Sequence, residues 1–163
     1  MNAQFHERAR QIVELEGTLI DERDWDKWLA LYAADARYWL PCWLDEYTMT
    51  TDPQTQMSLI YYPDRSGLED RVFRLRTERS LASTPLPRTC HMVSIGRISD
   101  LADGAIKVDS SWTVHSYRLG QAHSFFGRQS HVLRQVGTEM LIVDRIIIVA
   151  NDIIPNVLDV YSV

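Results

Sequence analysis

Near the start of the chain, Phe5, Ala9, Ile12, Val13, Leu19 and Ile20 recur on one side of a 3.6-residue period. That stripe predicts an amphipathic helix from Gln4 to about Glu22. Gly17, inside it, costs about 1 kcal/mol relative to alanine, which tertiary packing offsets. In "DWDKWLALYAADARYWLPCW", Asp24 is placed to cap a short second helix carrying Trp25, Trp28, Leu29 and Tyr32. A helix cannot run into Pro41, so "RYWLP" (37–41) reads as a strand. The polar segment 44–55, with Pro53, predicts a surface excursion. Ser66 and Glu69 have the S-x-x-E spacing of a capping box, which predicts a third helix from Gly67 to about Leu75. Pro85 and Pro87 in "STPLPR" then exclude helix.

The pattern changes period after that. In "AIKVDSSWTVHSYR", Ile106, Val108, Trp112 and Val114 alternate with Lys107, Asp109, Thr113 and His115, as in a strand with one core face. "HMVSIGRISDL" pairs with it across an Asp103-Gly104 hairpin signal. "HSFFGRQSHVLRQV" and "EMLIVDRIIIVAND" follow, separated by "GT". Three helices and then a meander of long strands predict an α+β domain, with helices packed on one face of a curved, mainly antiparallel sheet. No repeat, linker or low-complexity tract divides the 163 residues, so residues 1–163 are read as one domain.

Composition narrows the function. Hydrophobic residues at 45% and charged residues at 24% are those of an ordinary globular chain. A net charge of -5 lacks the basic field that phosphate neutralisation requires, which argues against nucleic acid as a partner. The N-terminal stretch has no apolar h-region, and "RIIIVANDII" is too short to span a bilayer, so the expectation is a cytoplasmic chain without membrane contact. Cys42 and Cys90 have no C-x-x-C or zinc-like spacing and are expected as reduced thiols in or near the core.

Candidate chemistry is sparse. His115, His123 and His131 are spaced by eight, which brings two of them near each other across a hairpin, but no carboxylate sits beside them in sequence. The competing reading is a polar sheet face, and His6 is expected on the exposed side of the first helix. Asp35, Tyr38, His91 and Asp144 are candidate acids and bases for a stand-alone isomerase or dehydratase working in a cavity between helices and sheet. Asp35 also reads as a turn or cap residue, and Asp144 as a partner for Arg145 or a neighbouring strand. Trp25, Trp28, Trp39 and Trp43 read as aromatic packing beneath the helices or as subunit anchors. "SLIYYPDRSGLEDRVFRLRTERS" (58–80) holds five arginines and four acids, dense enough to satisfy itself through i,i+4 pairs or to face a partner.

Several of these segments together resemble one family. Trp28, Leu31, Tyr32, Asp35, Tyr38, Pro41 and Trp43 form a W-x-x-L-Y-x-x-D-x-x-Y-x-x-P-x-W entry like that of the nuclear-transport-factor-like, or cystatin-like, cone fold. With "SLIYYPDRSGLEDRVFRLRT", "PRTCH", "FFG", "ND" and "VLDVY", the chain resembles the small (beta) subunit of aromatic-ring-hydroxylating dioxygenases of the benzoate and anthranilate type. It departs from that pattern at Thr113, where relatives tend to carry His, and around Val93 to Arg97. The resemblance implies a noncatalytic role in aromatic-compound catabolism, in a hexamer of three alpha and three beta subunits with a beta trimer supporting the alpha trimer. It also implies that the Rieske 2Fe-2S cluster and the mononuclear iron belong to the alpha subunit. The residues agree, since a Rieske centre needs two Cys and two His in close pairs, and neither Cys42 nor Cys90 has a His two or three residues after it. Catalytic, cofactor and metal residues are therefore not expected here. The resemblance tips the arginine-rich stretch toward a subunit interface formed by Tyr61, Tyr62, Asp64, Arg65, Glu69, Asp70, Arg71, Arg74 and Arg76, with Trp43.

Overall fold

The N-terminal stripe forms α1 (Asn2–Glu22) in the computed structural model, which describes residues 2–77 and 83–163. Ala9, Ile12, Val13, Leu19 and Ile20 face the core, whereas Phe5 is largely exposed. Asp24 caps α2 (Trp25–Ala30) by accepting from the Lys27 amide at 3.3 Å. Tyr32 does not belong to this helix. It opens β1 (Tyr32–Pro41), because the Leu31 carbonyl already accepts from the Ile142 amide and starts the sheet there. A bulge between Tyr32 and Arg37 leaves Asp35 on an exposed stretch of strand, not in a turn or cap.

β2 (Ser58–Tyr62) leads to α3 (Ser66–Arg76). The expected capping box does not form. Asp64 Oδ1 accepts from both the backbone and the hydroxyl of Ser66, so the Ser66 hydroxyl is a donor, and Glu69 turns back to Arg65 at 2.8 Å. The shorter reach from Asp64 wins. Glu78, Arg79 and Ser80, the end of the arginine-rich stretch, lie outside the described residues.

β3 (Arg88–Asp100), β4 (Ile106–Arg118), β5 (Gln121–Val136) and β6 (Glu139–Val149) are the long strands, and the six-stranded sheet runs β2-β1-β6-β5-β4-β3. Every neighbouring pair is antiparallel except β1 with β6. On β4 the expected alternation holds: Ile106, Val108, Ser110, Trp112 and Val114 point inward, toward the side on which α1 crosses β3 and β4. Gly137, at φ 62, supplies the left-handed position in the turn between β5 and β6. Cys42 is half-buried, but Cys90 is exposed, because the period of β3 turns it away from the helices. Among the described residues no helix is long and apolar enough to cross a membrane.

An aromatic chain threads the core from α2 to β2. Trp25, Trp28, Tyr32, Tyr38 and Tyr62 stand ring to ring, with successive centroids 6.0, 5.3, 6.4 and 6.0 Å apart. Trp39 points to the other face, where its indole donates to Ser58 Oγ at 2.8 Å and Arg37 lies over its ring. After β6 the chain returns across the core, and a 3-10 turn (Val160–Ser162) buries Val160, Tyr161 and Val163.

One position in the "FFG" segment admits no side chain. A Cβ on Gly127 would sit 1.9 Å from the carbonyl oxygen of Ile148 in β6, and a carbonyl in a ladder cannot move without its strand. Gly127→Ala is expected to destabilise the protein by about 3 kcal/mol or more, at the upper end of overpacking effects. Chemical unfolding measures this, and a loss below about 1 kcal/mol would contradict so close an approach.

Candidate functional site

The interior of the cone, where a pocket enzyme would hold its substrate, is filled by a polar network. Glu16 lies on the buried face of α1 and is 2% exposed. Its Oε1 accepts from Arg145 Nη1 at 2.5 Å, from Trp28 Nε1 at 3.2 Å and from the Tyr32 hydroxyl. Its Oε2 meets His131 Nε2 at 3.0 Å. Arg145, on β6, also donates to Gln129 Oε1 at 2.9 Å and stacks 5.4 Å from the centroid of the Tyr38 ring.

The charge states follow from these contacts. Burial pushes the Glu16 carboxyl up, but Arg145 and the hydrogen bonds from His131 and Tyr32 outweigh it and hold the group down at about 2. Burial holds His131 below its ordinary value despite the neighbouring carboxylate, so the ring is neutral at pH 7. Facing an ionised carboxylate, it must carry its proton on Nε2, and Nδ1, which has no partner among the described residues, is then a bare acceptor rather than a stranded donor. Burial and then Glu16 raise the Tyr32 phenol well above its usual range, so it serves as a hydrogen-bond donor throughout. Glu16, Arg145, His131 and Tyr32 therefore form an ionised pair with two neutral supports. Among the described residues, a space of about 10 Å³ lies beside Glu16 and Arg145, bounded in part by Gly17, His91 and Val163. That volume takes one water at most.

The sequence-predicted acids and bases do not converge. Asp35 faces solvent and pairs with Arg134 at 3.1 Å. Asp144 pairs with Arg37 on the adjacent strand through two bonds of 2.6 and 3.0 Å. His91 is held by Asp21, whose Oδ1 and Oδ2 meet its Nδ1 and its backbone amide at 2.5 and 2.9 Å. Tyr38 is buried beside Arg145, and among the described residues neither its hydroxyl nor His91 Nε2 has a partner. Glu16 and Arg145 were missed, although each carried a signal: a carboxylate within the apolar stripe of α1 and an arginine within "LIVDRIIIV".

The three histidines separate. His131 points inward to a carboxylate, Glu16, which the sequence spacing had not indicated. His115 lies opposite Ser124 and His123 opposite Ser116, so those two leave opposite faces of the sheet, and His123 bonds Asn156 at 3.0 Å. His6 bonds Asp100 at 2.8 Å. Among the described residues no group of three or more His, Cys, Asp or Glu is placed to hold a metal ion. Cys42, half-buried after β1, and Cys90, exposed on β3, do not provide the paired Cys and His donors of a Rieske cluster.

Within the arginine-rich stretch, several charges are engaged inside the chain. Arg65 donates to Glu69 and, at 2.9 Å, to the Tyr32 carbonyl. Arg71 makes a two-pronged contact with Asp159, 2.7 Å on its Nε side, and Asp159 is 4% exposed. Ser83 bonds both of these residues and the Tyr161 hydroxyl. Arg76 reaches Asp26 at 2.8 Å on the surface. Asp70 and Arg74 are exposed, and Tyr62 packs on Tyr38 beneath Gly67. Tyr61 accepts from Gln54 at 3.1 Å, and Trp43, 38% exposed, donates to the Val149 carbonyl at 2.8 Å. This surface joins β2, α3 and the C-terminal segment.

Known proteins share this framework along nearly its full length. The chain is 41% identical to the toluate 1,2-dioxygenase subunit beta of Pseudomonas putida, covering 97% of this chain and 98% of that one. The crystal structure of the benzoate 1,2-dioxygenase beta subunit from Burkholderia mallei matches with a TM-score of 0.77 and 36% identity, covering 95% of each chain. An NTF2-like protein with a cystatin-like fold from Novosphingobium aromaticivorans, 15% identical with a TM-score of 0.58 over 90% of this chain and 82% of that one, shares the fold alone. A family model described as the ring hydroxylating beta subunit matches residues 15–156, a span that includes Glu16, Arg71 and Arg145. With its cone filled by its own charged side chains and its sequence aligned end to end with these subunits, the chain belongs to the ring-hydroxylating dioxygenase beta-subunit family.

Proposed function

We propose that this chain is the structural small subunit of a cytoplasmic dioxygenase whose alpha subunit cis-dihydroxylates an aromatic carboxylate, such as benzoate or anthranilate. Its partners are alpha subunits and further copies of itself, three of each, with the beta trimer supporting the alpha trimer. The Rieske cluster and mononuclear iron are in the alpha subunit. The observation that carries this reading is the interior, where Glu16 and Arg145 pair at 2.5 Å beside a space of about 10 Å³, too small for an aromatic substrate. The identity to toluate and benzoate subunits supports the substrate class. Tyr61, Tyr62, Asp64, Arg65, Glu69, Asp70, Arg71, Arg74, Arg76 and Trp43 are proposed to border a subunit contact, with Arg71 acting from beneath by fixing the C-terminal segment.

The chain purified alone tests the noncatalytic role. Iron and acid-labile sulfide are expected at background levels, with no oxidation of benzoate, toluate or anthranilate. Stoichiometric cluster or turnover by the isolated chain would overturn the assignment.

A further inference from the structure

The outer face of the sheet carries a hollow of about 680 Å³ lined by Trp43, Met92, Ser111, Phe126, Arg128 and Ile148. Met92, on the edge strand β3, and Phe126, on β5, are about half exposed and share one face across Thr113, which leaves two large apolar side chains open to solvent together. Arg128 and nearby Arg97 are exposed; Asp109, the register partner of Arg97, lies beside them and pairs with Lys107 at 3.2 Å, so the local balance is three cations to one acid, and among the described residues neither arginine is ion-paired. The hollow is thus an apolar floor with a basic rim, on a molecule whose net charge is -5.

At its edge stands a projection of the opposite character. After Trp43 the chain forms a tight hairpin: Trp43 bridges Met49, the Leu44 amide donates to the Thr48 carbonyl at 2.8 Å, and Asp45 Oδ1 accepts from the amides of Tyr47 and Thr48 at 2.8 Å each. These bonds hold the tip in one shape and engage the Asp45 carboxylate. They leave Leu44 59% exposed, Tyr47 89% exposed, and the Glu46 side chain in solvent. An aromatic anchor and a free acid on a rigid turn form a ready-made knob, and little ordering entropy is lost when it binds.

We infer that the hairpin tip at Leu44–Tyr47 of one copy seats in the outer-face hollow of the next, with Tyr47 on the Met92–Phe126 floor and Glu46 toward Arg128 and Arg97. The occupant is a second copy because an aromatic, acidic knob and an apolar hollow with a net basic rim occur on the same chain. Two copies at -5 each repel in general, so a local basic rim facing an acidic tip selects this approach over others. Knob and hollow are different patches, which makes the contact head-to-tail, and a head-to-tail contact closes into a ring when its rotation permits. This rests on the self-association proposed above and assigns it a surface.

Sedimentation of the full-length chain without alpha subunit, across a concentration series, tests the contact. Tyr47→Ala and Glu46→Arg are each expected to weaken self-association by roughly 30-fold or more. Glu46→Arg with Arg128→Glu in one chain should recover most of it, because the two reversed charges meet between copies. These residues are exposed, so unchanged circular dichroism and melting will show that folding is intact. The inference is overturned if the wild-type chain is monomeric at all concentrations, or if it associates and the single variants keep its constant. It is overturned equally if the variants lose alpha-subunit binding while still associating with themselves. In each case the chain-alone iron and turnover assay judges the noncatalytic role separately.

Discussion

Arg145→Met will lower the thermal midpoint by roughly 10 °C, the equivalent of about 3–5 kcal/mol for breaking a buried ion pair in a chain of this size. The substitution keeps an unbranched apolar stem but strands the Glu16 carboxylate, which keeps its Trp28, Tyr32 and His131 contacts and loses its counter-charge at 2.5 Å. Replacing both partners, with Glu16→Leu added to Arg145→Met, should cost less than either change alone, because no unpaired charge then remains in the core. A double-mutant cycle read by chemical unfolding measures that coupling. Single variants that are additive would mean the pair does not interact as described.

The same network makes the protein acid-sensitive in two stages. His131 is held below 6.5 by burial, so the unfolded chain takes up a proton that the fold refuses, and stability is lost as pH falls below 6.5. The Glu16 carboxyl is lowered from 4.5 to about 2, so its contribution is complete above 4.5 and disappears as pH falls toward about 2. Glu16→Gln should flatten the lower stage relative to wild type. A wild-type melting temperature constant from pH 7 to pH 3 would contradict both assignments.

Arg71→Ala is expected to cost about 2–5 kcal/mol, far more than loss of the other arginines in its stretch. Asp159 is 4% exposed, accepts both prongs of the guanidinium, and also caps the turn that buries Tyr161 and Val163. Without Arg71 the carboxylate is left buried and the C-terminal segment loses its anchor on α3. Hydrogen exchange should accelerate over residues 157–163 together with the fall in stability. Arg76→Ala, which breaks only an exposed pair with Asp26, should stay within about 1 kcal/mol of wild type. Equal effects at positions 71 and 76 would rule out an internal role for Arg71. Arg71→Lys should recover part of the stability, because it restores the charge but not the two-pronged geometry.

Much of this architecture is written in local periodicity. The stripe from Ala9 to Ile20 and the alternation from Ile106 to Val114 each specify an element whose buried face matches its apolar positions. The start of β1 was not legible, because Tyr32 continues the apolar spacing of α2 and only a bond to Ile142, far along the chain, marks it as strand. The Ser66 box failed for a related reason: Asp64, two residues earlier, competes for the same donors. The interior network was half visible. Glu16 and Arg145 each interrupt an apolar pattern, but their pairing depends on how α1, crossing β3 and β4, aims Glu16 across the core to Arg145 on β6. Which arginines of the 58–80 stretch face inward could not be read either, since the partner of Arg71 lies 88 residues away.

Co-expression with an alpha subunit encoded beside it, followed by mass determination of the purified complex, is the decisive test of the subunit role. A stable assembly containing both chains in equal number is expected, with iron and acid-labile sulfide following the alpha chain when the two are separated. A chain that elutes free of every such alpha subunit, or that retains the iron after separation, would contradict it.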